Sequence, residues 1–180
     1  MTNADDNDAE APPVLHAHAD HGDRYVCGFL FDSHRRVLLV RKMRGPAAVV
    51  GRWNGIGGRI ERGEMGLDAM RREFVEETGI GIERWDGVLQ LSGMNAGRFW
   101  SVQFYRAWVE EMPAALRSTN DVGEELGAFD VDAVLAQAHG RGLTYETSTR
   151  PGGVVRNLQW IVPMLLDGDV RKAMVMEVAR

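Results

Sequence analysis

Residues 57–80 read GGRIERGEMGLDAMRREFVEETGI. Within this stretch Leu67, Met70 and Phe74 recur at helical spacing, the intervening Arg and Glu are good helix formers, and Gly79 stands where a left-handed C-terminal cap is needed. The pattern predicts a helix over 66–78. On it Glu73, Glu76 and Glu77 occupy i, i+3 and i+4, so their side chains converge within a sector of about 100°, beside the apolar stripe. Three ionised carboxylates on one turn repel each other, and a divalent cation that takes several of their oxygens reverses that cost; Mg²⁺ is the natural candidate. The competing reading is a solvated acidic face with Arg71 and Arg72 as ion-pair partners, and for the triplet alone it is the commoner one. Context shifts the balance. Gly55, Gly57 and Gly58 permit close backbone approach before the helix, Gly63-Glu64 adds another turn and acid, and Gly79 ends the helix directly after the triplet, so backbone and carboxylates can share one ion.

Working outward, residues 25–31 are apolar and β-prone, Asp32-Ser33-His34 supplies turn chemistry, and 37–40 is a second β-branched run, which together predict a hairpin. Residues 45–63 form a glycine-rich, loop-dominated crossing into the helix. Beyond it, 88–91 and 99–109 read as strands, the second with Phe99, Trp100, Phe104, Tyr105 and Trp108 as packing surfaces. Residues 130–138 read as a short helix with an acidic cap. A further helix is expected over 157–166, with Leu158, Ile161, Val162 and Leu165 on one side and Pro163 shortening or kinking it. Residues 173–178 suit a closing strand, and no internal repeat is visible. Strands and helices mixed along one chain imply an α/β layered architecture.

The chain has 180 residues, enough for one well-buried domain with appendages and too few for two ordinary ones. With 44% hydrophobic and 26% charged residues it is neither collagen-like, nor wholly disordered, nor membrane-spanning. The net charge of −5 is concentrated at one end: residues 1–23 carry Asp5, Asp6, Asp8, Glu10, Asp20 and Asp23 and no Lys or Arg. That stretch reads as a mobile acidic leader and 24–180 as the domain. A nearly neutral body gives no support for binding polymeric nucleic acid, though it leaves room for a local cationic pocket. His16, His18 and His21 in the leader read as incidental. Cys27 sits in an apolar run as a buried structural thiol, which together with the lack of any pairing partner suits a reducing compartment. With no signal-like region or membrane span in view, a cytoplasmic location is expected.

The spacing is Gly58, five residues, Glu64, seven residues, then Arg72-Glu73, apolar Phe74, Val75, Glu76-Glu77, Thr78, Gly79 and apolar Ile80. This resembles the signature box of the Nudix hydrolase family in full, with aromatic Phe74 where an aliphatic residue is commoner. The flanking elements are consistent with the family domain from about Arg24 onward. The resemblance implies a mixed sheet between helices, an α/β/α sandwich whose loop-helix-loop box holds Mg²⁺ or Mn²⁺ against a diphosphate. By motif, Glu73, Glu76 and Glu77 are the implied metal carboxylates and the Gly57 carbonyl a further ligand. Arg72 is expected to orient a glutamate and Glu64 to support the site. The implied activity is hydrolysis of a nucleoside diphosphate linked to another group, with Glu73 as one candidate base and Glu124, or its neighbour Glu125, on a later loop as another.

Upstream, Gly51-Arg52-Trp53-Asn54-Gly55-Ile56-Gly57-Gly58 is similar to the MutT-like branch that hydrolyses oxidised purine nucleoside triphosphates. There the Asn contacts the base, so Asn54 is the implied base-reading residue; an amide donates and accepts at once. Residues 157–163 (NLQWIVP) are similar to that branch's late helix, with Asn157 where an acid reads the base and Val155 where a stacking Trp is expected. Trp160 and Trp53 are candidate stacking residues against a core role, and Arg41, Lys42 and Arg44 candidate phosphate contacts against a role as solvated strand-end charges. Pyrophosphohydrolysis of a purine nucleoside triphosphate leads; a nucleotide-sugar or other nucleoside diphosphate hydrolase, and a non-catalytic nucleotide sensor, are the alternatives. A homodimer is compatible with the sequence, and no membrane partner is expected.

Overall fold

A computed structural model of the chain describes residues 22–45, 47–114, 116, 123–138, 153–170 and 173–178. The acidic leader with its three histidines lies outside the described residues up to position 21. Seven strands, β1 (Asp23–Asp32), β2 (Arg36–Arg41), β3 (Trp53–Asn54), β4 (Asp86–Asn95), β5 (Arg98–Val109), β6 (Glu125–Asp130) and β7 (Ala173–Val178), form one sheet. Among the described residues three helices accompany it: α1 (Gly66–Thr78), α2 (Val131–Ala138) and α3 (Leu158–Leu166).

The strand order is β3-β2-β1-β5-β4-β7, with β6 also paired to β2. Val40 pairs with both Asn54 of β3 and Leu126 of β6, so those two strands flank β2 on opposite edges. β1 runs parallel to β5 and β4 parallel to β7, while the remaining pairs are antiparallel. The sheet is therefore mixed, as expected. Alternation along β1 divides the core: Cys27, Phe29 and Phe31 pack with Val131 and Val134 of α2 and with Leu158, Ile161, Val162 and Leu165 of α3. Val26 and Leu30 pack with Ala69, Met70 and Phe74 of α1. A strand covered on both faces has no polar side to present, which is why 25–31 reads as an unbroken apolar run.

The expected hairpin is present but splayed. β1 and β2 pair only at Leu30↔Leu38 and Phe31↔Val37, next to the turn. Asp32 fastens that turn, accepting from the N–H of His34 (3.0 Å) and Arg36 (2.9 Å) and from Arg36 Nε (2.7 Å). Beyond it the strands part and residues 53–59 enter between them. Trp53 and Asn54 pair with Arg41 and Val40 of β2, whereas Ile56 and Arg59 bridge to Gly28 and Tyr25 of β1. The glycine-rich crossing is thereby locked into the sheet on both sides, which fixes where Asn54 and Gly57 stand.

α1 keeps the expected bounds. Gly79 closes it at φ 71° with its N–H on the Val75 carbonyl at 2.8 Å. Phe74 meets the edge of Trp85 with ring centroids 5.0 Å apart, pinning the helix to the sheet. α2 has the acidic cap read from sequence, Ala133 N–H donating to Asp130 Oδ1 at 2.9 Å. α3 starts one residue later than expected, with Asn157 as its N-cap and no side-chain cap bond, and Pro163 is accommodated inside it. Its C-terminal end is closed by Arg106 Nη1, which donates to the carbonyls of Leu165 (2.7 Å) and Asp167 (2.9 Å). Among the described residues no helix is long and apolar enough to cross a membrane.

Candidate active site

Arg72 organises the acids of α1 and of the loop before it. Its Nε and Nη2 grip Glu64 Oε1 and Oε2 in a fork, both at 2.9 Å. Its Nη1 donates to Glu73 Oε1 (2.9 Å) and Glu76 Oε2 (3.1 Å), and Nη2 also reaches the Arg59 carbonyl (3.0 Å). A planar guanidinium with five donors can serve four acceptor groups at once; an ammonium cannot. The Arg72 hydrogen bonds hold the Glu64 carboxyl below the ordinary glutamate range, outweighing its desolvation, and they raise Arg72's own pKa in return. Glu64 also accepts from the Glu61 N–H at 2.9 Å, so it braces the loop that leads into α1. Arg72 therefore touches all three of Glu64, Glu73 and Glu76.

Of the acidic triplet Glu76 is exposed, whereas the Glu73 side chain is 14% exposed and Glu77 is buried. Glu77 is 9% exposed and lies in line with Met70 and Phe74, the positions that seat the helix on the sheet. Burial pushes its carboxyl up to about 7, with Lys42 pulling the other way and Glu124 and Glu73 adding to the rise. Burial likewise raises the Glu73 carboxyl, partly offset by Arg72. Gly58 passes so close to Glu73 that a Cβ there would overlap its carboxylate and push it aside. Gly57, at φ 149°, turns so close to the Val26 carbonyl that no larger residue fits.

Lys42, at the end of β2, completes the cluster. Its Nζ donates to Glu77 Oε1 at 2.5 Å and to the Gly57 carbonyl at 3.1 Å. In the sequence Lys42 is one of three strand-end cations, with Arg41 and Arg44. The structure separates them: Arg41 faces Glu125 at 3.6 Å, Arg44 is exposed, and Lys42 alone turns inward onto the box. No spacing in the sequence links positions 42 and 77; the only signal is that β2 ends in a basic run next to the crossing.

Among the described residues no three His, Cys, Asp or Glu side chains stand together ready to hold a metal, and Arg72 and Lys42 engage several of the carboxylate oxygens. The donor chemistry nevertheless fits a divalent cation. Glu77 Oε2 is buried without a hydrogen-bond partner, the Gly57 carbonyl already faces a cation, and carboxylate and carbonyl oxygens are the ligands Mg²⁺ and Mn²⁺ take.

Of the later residues, Glu124 reaches the same corner: its Oε1 accepts from the Met43 N–H at 3.1 Å, and its charge is felt at Glu77. Asn54 sits in β3, which is flanked on its other side by 153–155. The Trp53 N–H donates to the Gly153 carbonyl and the Val155 N–H to the Trp53 carbonyl, both at 2.9 Å. That contact carries the chain into the turn holding Asn157, whose Oδ1 is buried and unpaired. Asn54 and Asn157 are thus brought to neighbouring segments. The two tryptophans divide: Trp53 is partly buried, edge-on against Phe129 (4.7 Å) and packed against the core, whereas Trp160, in the first turn of α3, is 62% exposed. The thiol of Cys27 is buried, which pushes its pKa up to about 12, as befits a structural residue.

Residues 22–145 match the NUDIX domain. A mouse oxidized purine nucleoside triphosphate hydrolase is 47% identical over 58 residues, which are 32% of this chain and 36% of that protein. The chain thus spans about a third of the length of this curated relative. Among solved structures, a MutT NUDIX hydrolase from Burkholderia pseudomallei superposes with a TM-score of 0.53 at 26% identity, covering 63% of this chain and 86% of its own. A MutT protein from Bacillus halodurans shares the fold over 87% of this chain and 90% of its own, with a TM-score of 0.58 at 23% identity. By sequence match, sheet order and an intact box, the chain belongs to the NUDIX family.

Proposed function

We propose that this protein is a metal-dependent pyrophosphohydrolase that cleaves a purine nucleoside triphosphate, oxidised forms included, to the monophosphate and pyrophosphate. The carrying observation is the buried, unpartnered oxygen of Glu77, whose carboxylate is joined to the Gly57 carbonyl through Lys42, on a helix where one arginine aligns Glu73 and Glu76. The choice of substrate draws on the likeness to the mouse oxidized purine nucleoside triphosphate hydrolase.

In this reading Glu73, Glu76, Glu77 and the Gly57 carbonyl would hold Mg²⁺, or Mn²⁺ in its place. Such an ion would neutralise phosphate charge and lower the pKa of a bound water. Arg72 presents Glu73 and Glu76 in fixed orientations and Glu64 holds Arg72 in turn, so the carboxylates need little reorganisation. The proton from the attacking water goes to a carboxylate: Glu73, whose basicity burial increases, or Glu124, at the mouth of the same corner. Asn54 and Asn157 offer amide groups for a purine edge, and exposed Trp160 offers a stacking face.

The test is a product-resolved screen with Mg²⁺ against oxidised and ordinary nucleoside triphosphates, nucleotide sugars and dinucleoside polyphosphates. Pyrophosphate release from purine triphosphates supports the proposal. Cleavage of only another class reassigns the substrate, and binding without turnover in any class identifies a sensor. Glu76→Gln is expected to abolish turnover while nucleotide binding persists, and a comparison of Glu73→Gln with Glu124→Gln identifies the base.

A further inference from the structure

Lys42 stands where a cation is required. Its ammonium bridges the Gly57 carbonyl and Glu77 Oε1, two groups that the reading above assigns to the metal, and its side chain is only 13% exposed. The backbone around it is tied down: Lys42 N–H donates to the Arg52 carbonyl at 3.0 Å, Gly51 N–H donates to the Lys42 carbonyl at 2.7 Å, and Met43 N–H is taken by Glu124. The flexible part is the four-carbon stem. A lysine carries its charge as a point with three rotatable donors, so it can leave one set of oxygens for another without moving the strand.

We propose that Lys42 is a placeholder cation, whose ammonium occupies the Gly57–Glu77 position in the metal-free protein and is exchanged for the divalent ion. This rests on the metal-dependent reading of the site and goes beyond it by naming the competitor that metal must displace. The device answers a folding problem. Without Lys42, a buried carboxylate with one unpaired oxygen would face a backbone carbonyl across a site with no positive charge. It also couples two ligands. The diphosphate oxygens of a substrate would offer the displaced ammonium a further acceptor, so metal and substrate favour each other's binding.

The test is a calorimetric titration of chelator-treated protein with Mn²⁺, without nucleotide, at about pH 8.5, where Glu77 with its pKa of about 7 is ionised. Lys42→Met is expected to bind Mn²⁺ about tenfold more tightly than wild type or better, because no like charge has to be expelled. Lys42→Arg keeps a cation at the position and is expected to stay within about threefold of wild type. Arg44→Gln removes an exposed cation two residues away and controls for net charge, with a change under about twofold. Thermal melts establish that each variant is folded, and Lys42→Gln, which retains a donor for the Gly57 carbonyl, replaces Lys42→Met should that variant not fold. Unchanged or weaker Mn²⁺ binding in Lys42→Met overturns the proposal. If Glu77→Gln at the same time abolishes binding, the metal-site reading survives that failure. Undiminished Mn²⁺ binding in Glu77→Gln overturns the site reading and the placeholder with it.

Discussion

Replacing Glu77 by Gln gives the sharpest test of how the site stores free energy. In the metal-free fold burial raises this carboxyl from an ordinary 4.5 to about 7, so the folded protein holds the proton more tightly than the unfolded chain does. Below about pH 4.5 both states are protonated and Glu77 costs nothing. Between about 4.5 and 7 the unfolded chain ionises while the folded one resists, and stability falls. Above about 7 the cost is constant. A difference of about 2.5 units at about 1.4 kcal/mol each gives about 3.5 kcal/mol. The Glu77 side chain is 11% exposed, so solvent screening removes little of it. The assay is urea denaturation of chelator-treated wild type and Glu77→Gln at steps from about pH 5 to 8.5. Because the unfolded chain is already largely ionised at about pH 5, the stability of the variant relative to wild type is expected to climb by about 2.5 kcal/mol across that range. Saturating Mg²⁺ at the alkaline end stabilises wild type and not the variant. A gap that stays level within about 1 kcal/mol would refute the assignment of a strained, buried carboxylate.

Arg72→Lys keeps the charge but loses the fork on Glu64 and at least one of the contacts to Glu73, Glu76 or Arg59; kcat/KM is expected to fall about 10- to 100-fold, and the loss of about 2 kcal/mol to lower the melting temperature by about 4–8 °C. Retention of full activity would show that the carboxylates need no arginine. Gly58→Ala places a methyl against the Glu73 carboxylate and is expected to lower kcat about 100-fold with the fold intact by circular dichroism. Trp160→Ala is expected to raise KM for the preferred triphosphate about 5- to 100-fold, from about 1–3 kcal/mol of stacking, with kcat little changed; an unaltered KM rules Trp160 out of base binding. Asp32 sits outside the site and is 1% exposed. Burial alone would raise its carboxyl, but hydrogen bonds from the Arg36 backbone and side chain, and from the His34 N–H, hold it below the ordinary 3.8. Its contribution is present above that value and lost as pH falls through the depressed one. Asp32→Asn is therefore expected to cost about 2 kcal/mol near neutrality, and the deficit to close in acid, measured by denaturation at the two extremes.

Not everything in the candidate site was equally legible. The bounds of α1 were, because its period, its glycine cap and its helix formers all act within one or two turns. The burial of Glu77 left a readable trace: it follows Met70 by seven positions and Phe74 by three, in register with the stripe that seats the helix. The exposure of Trp160 had one too, since Leu158, Ile161, Val162 and Leu165 already define the buried side of α3 and Trp160 falls off it. Lys42 had none. Its partner is 35 residues away, and the choice among Arg41, Lys42 and Arg44 depends on which way the end of β2 faces once the crossing is threaded.

By itself the sequence determined the helix, the carboxylate register, the alternation of strands and helices and the family, because each is carried by residues a few positions apart whose geometry the backbone dictates locally. The tertiary structure alone decided that β1 and β2 part after two pairs to admit 53–59, that β1 lies parallel to β5, and that Lys42 closes on Gly57 and Glu77. Those outcomes join segments far apart in the chain. They are selected by burying both faces of one sheet at once and by the need to place a positive charge beside a carboxylate that this burial has removed from water.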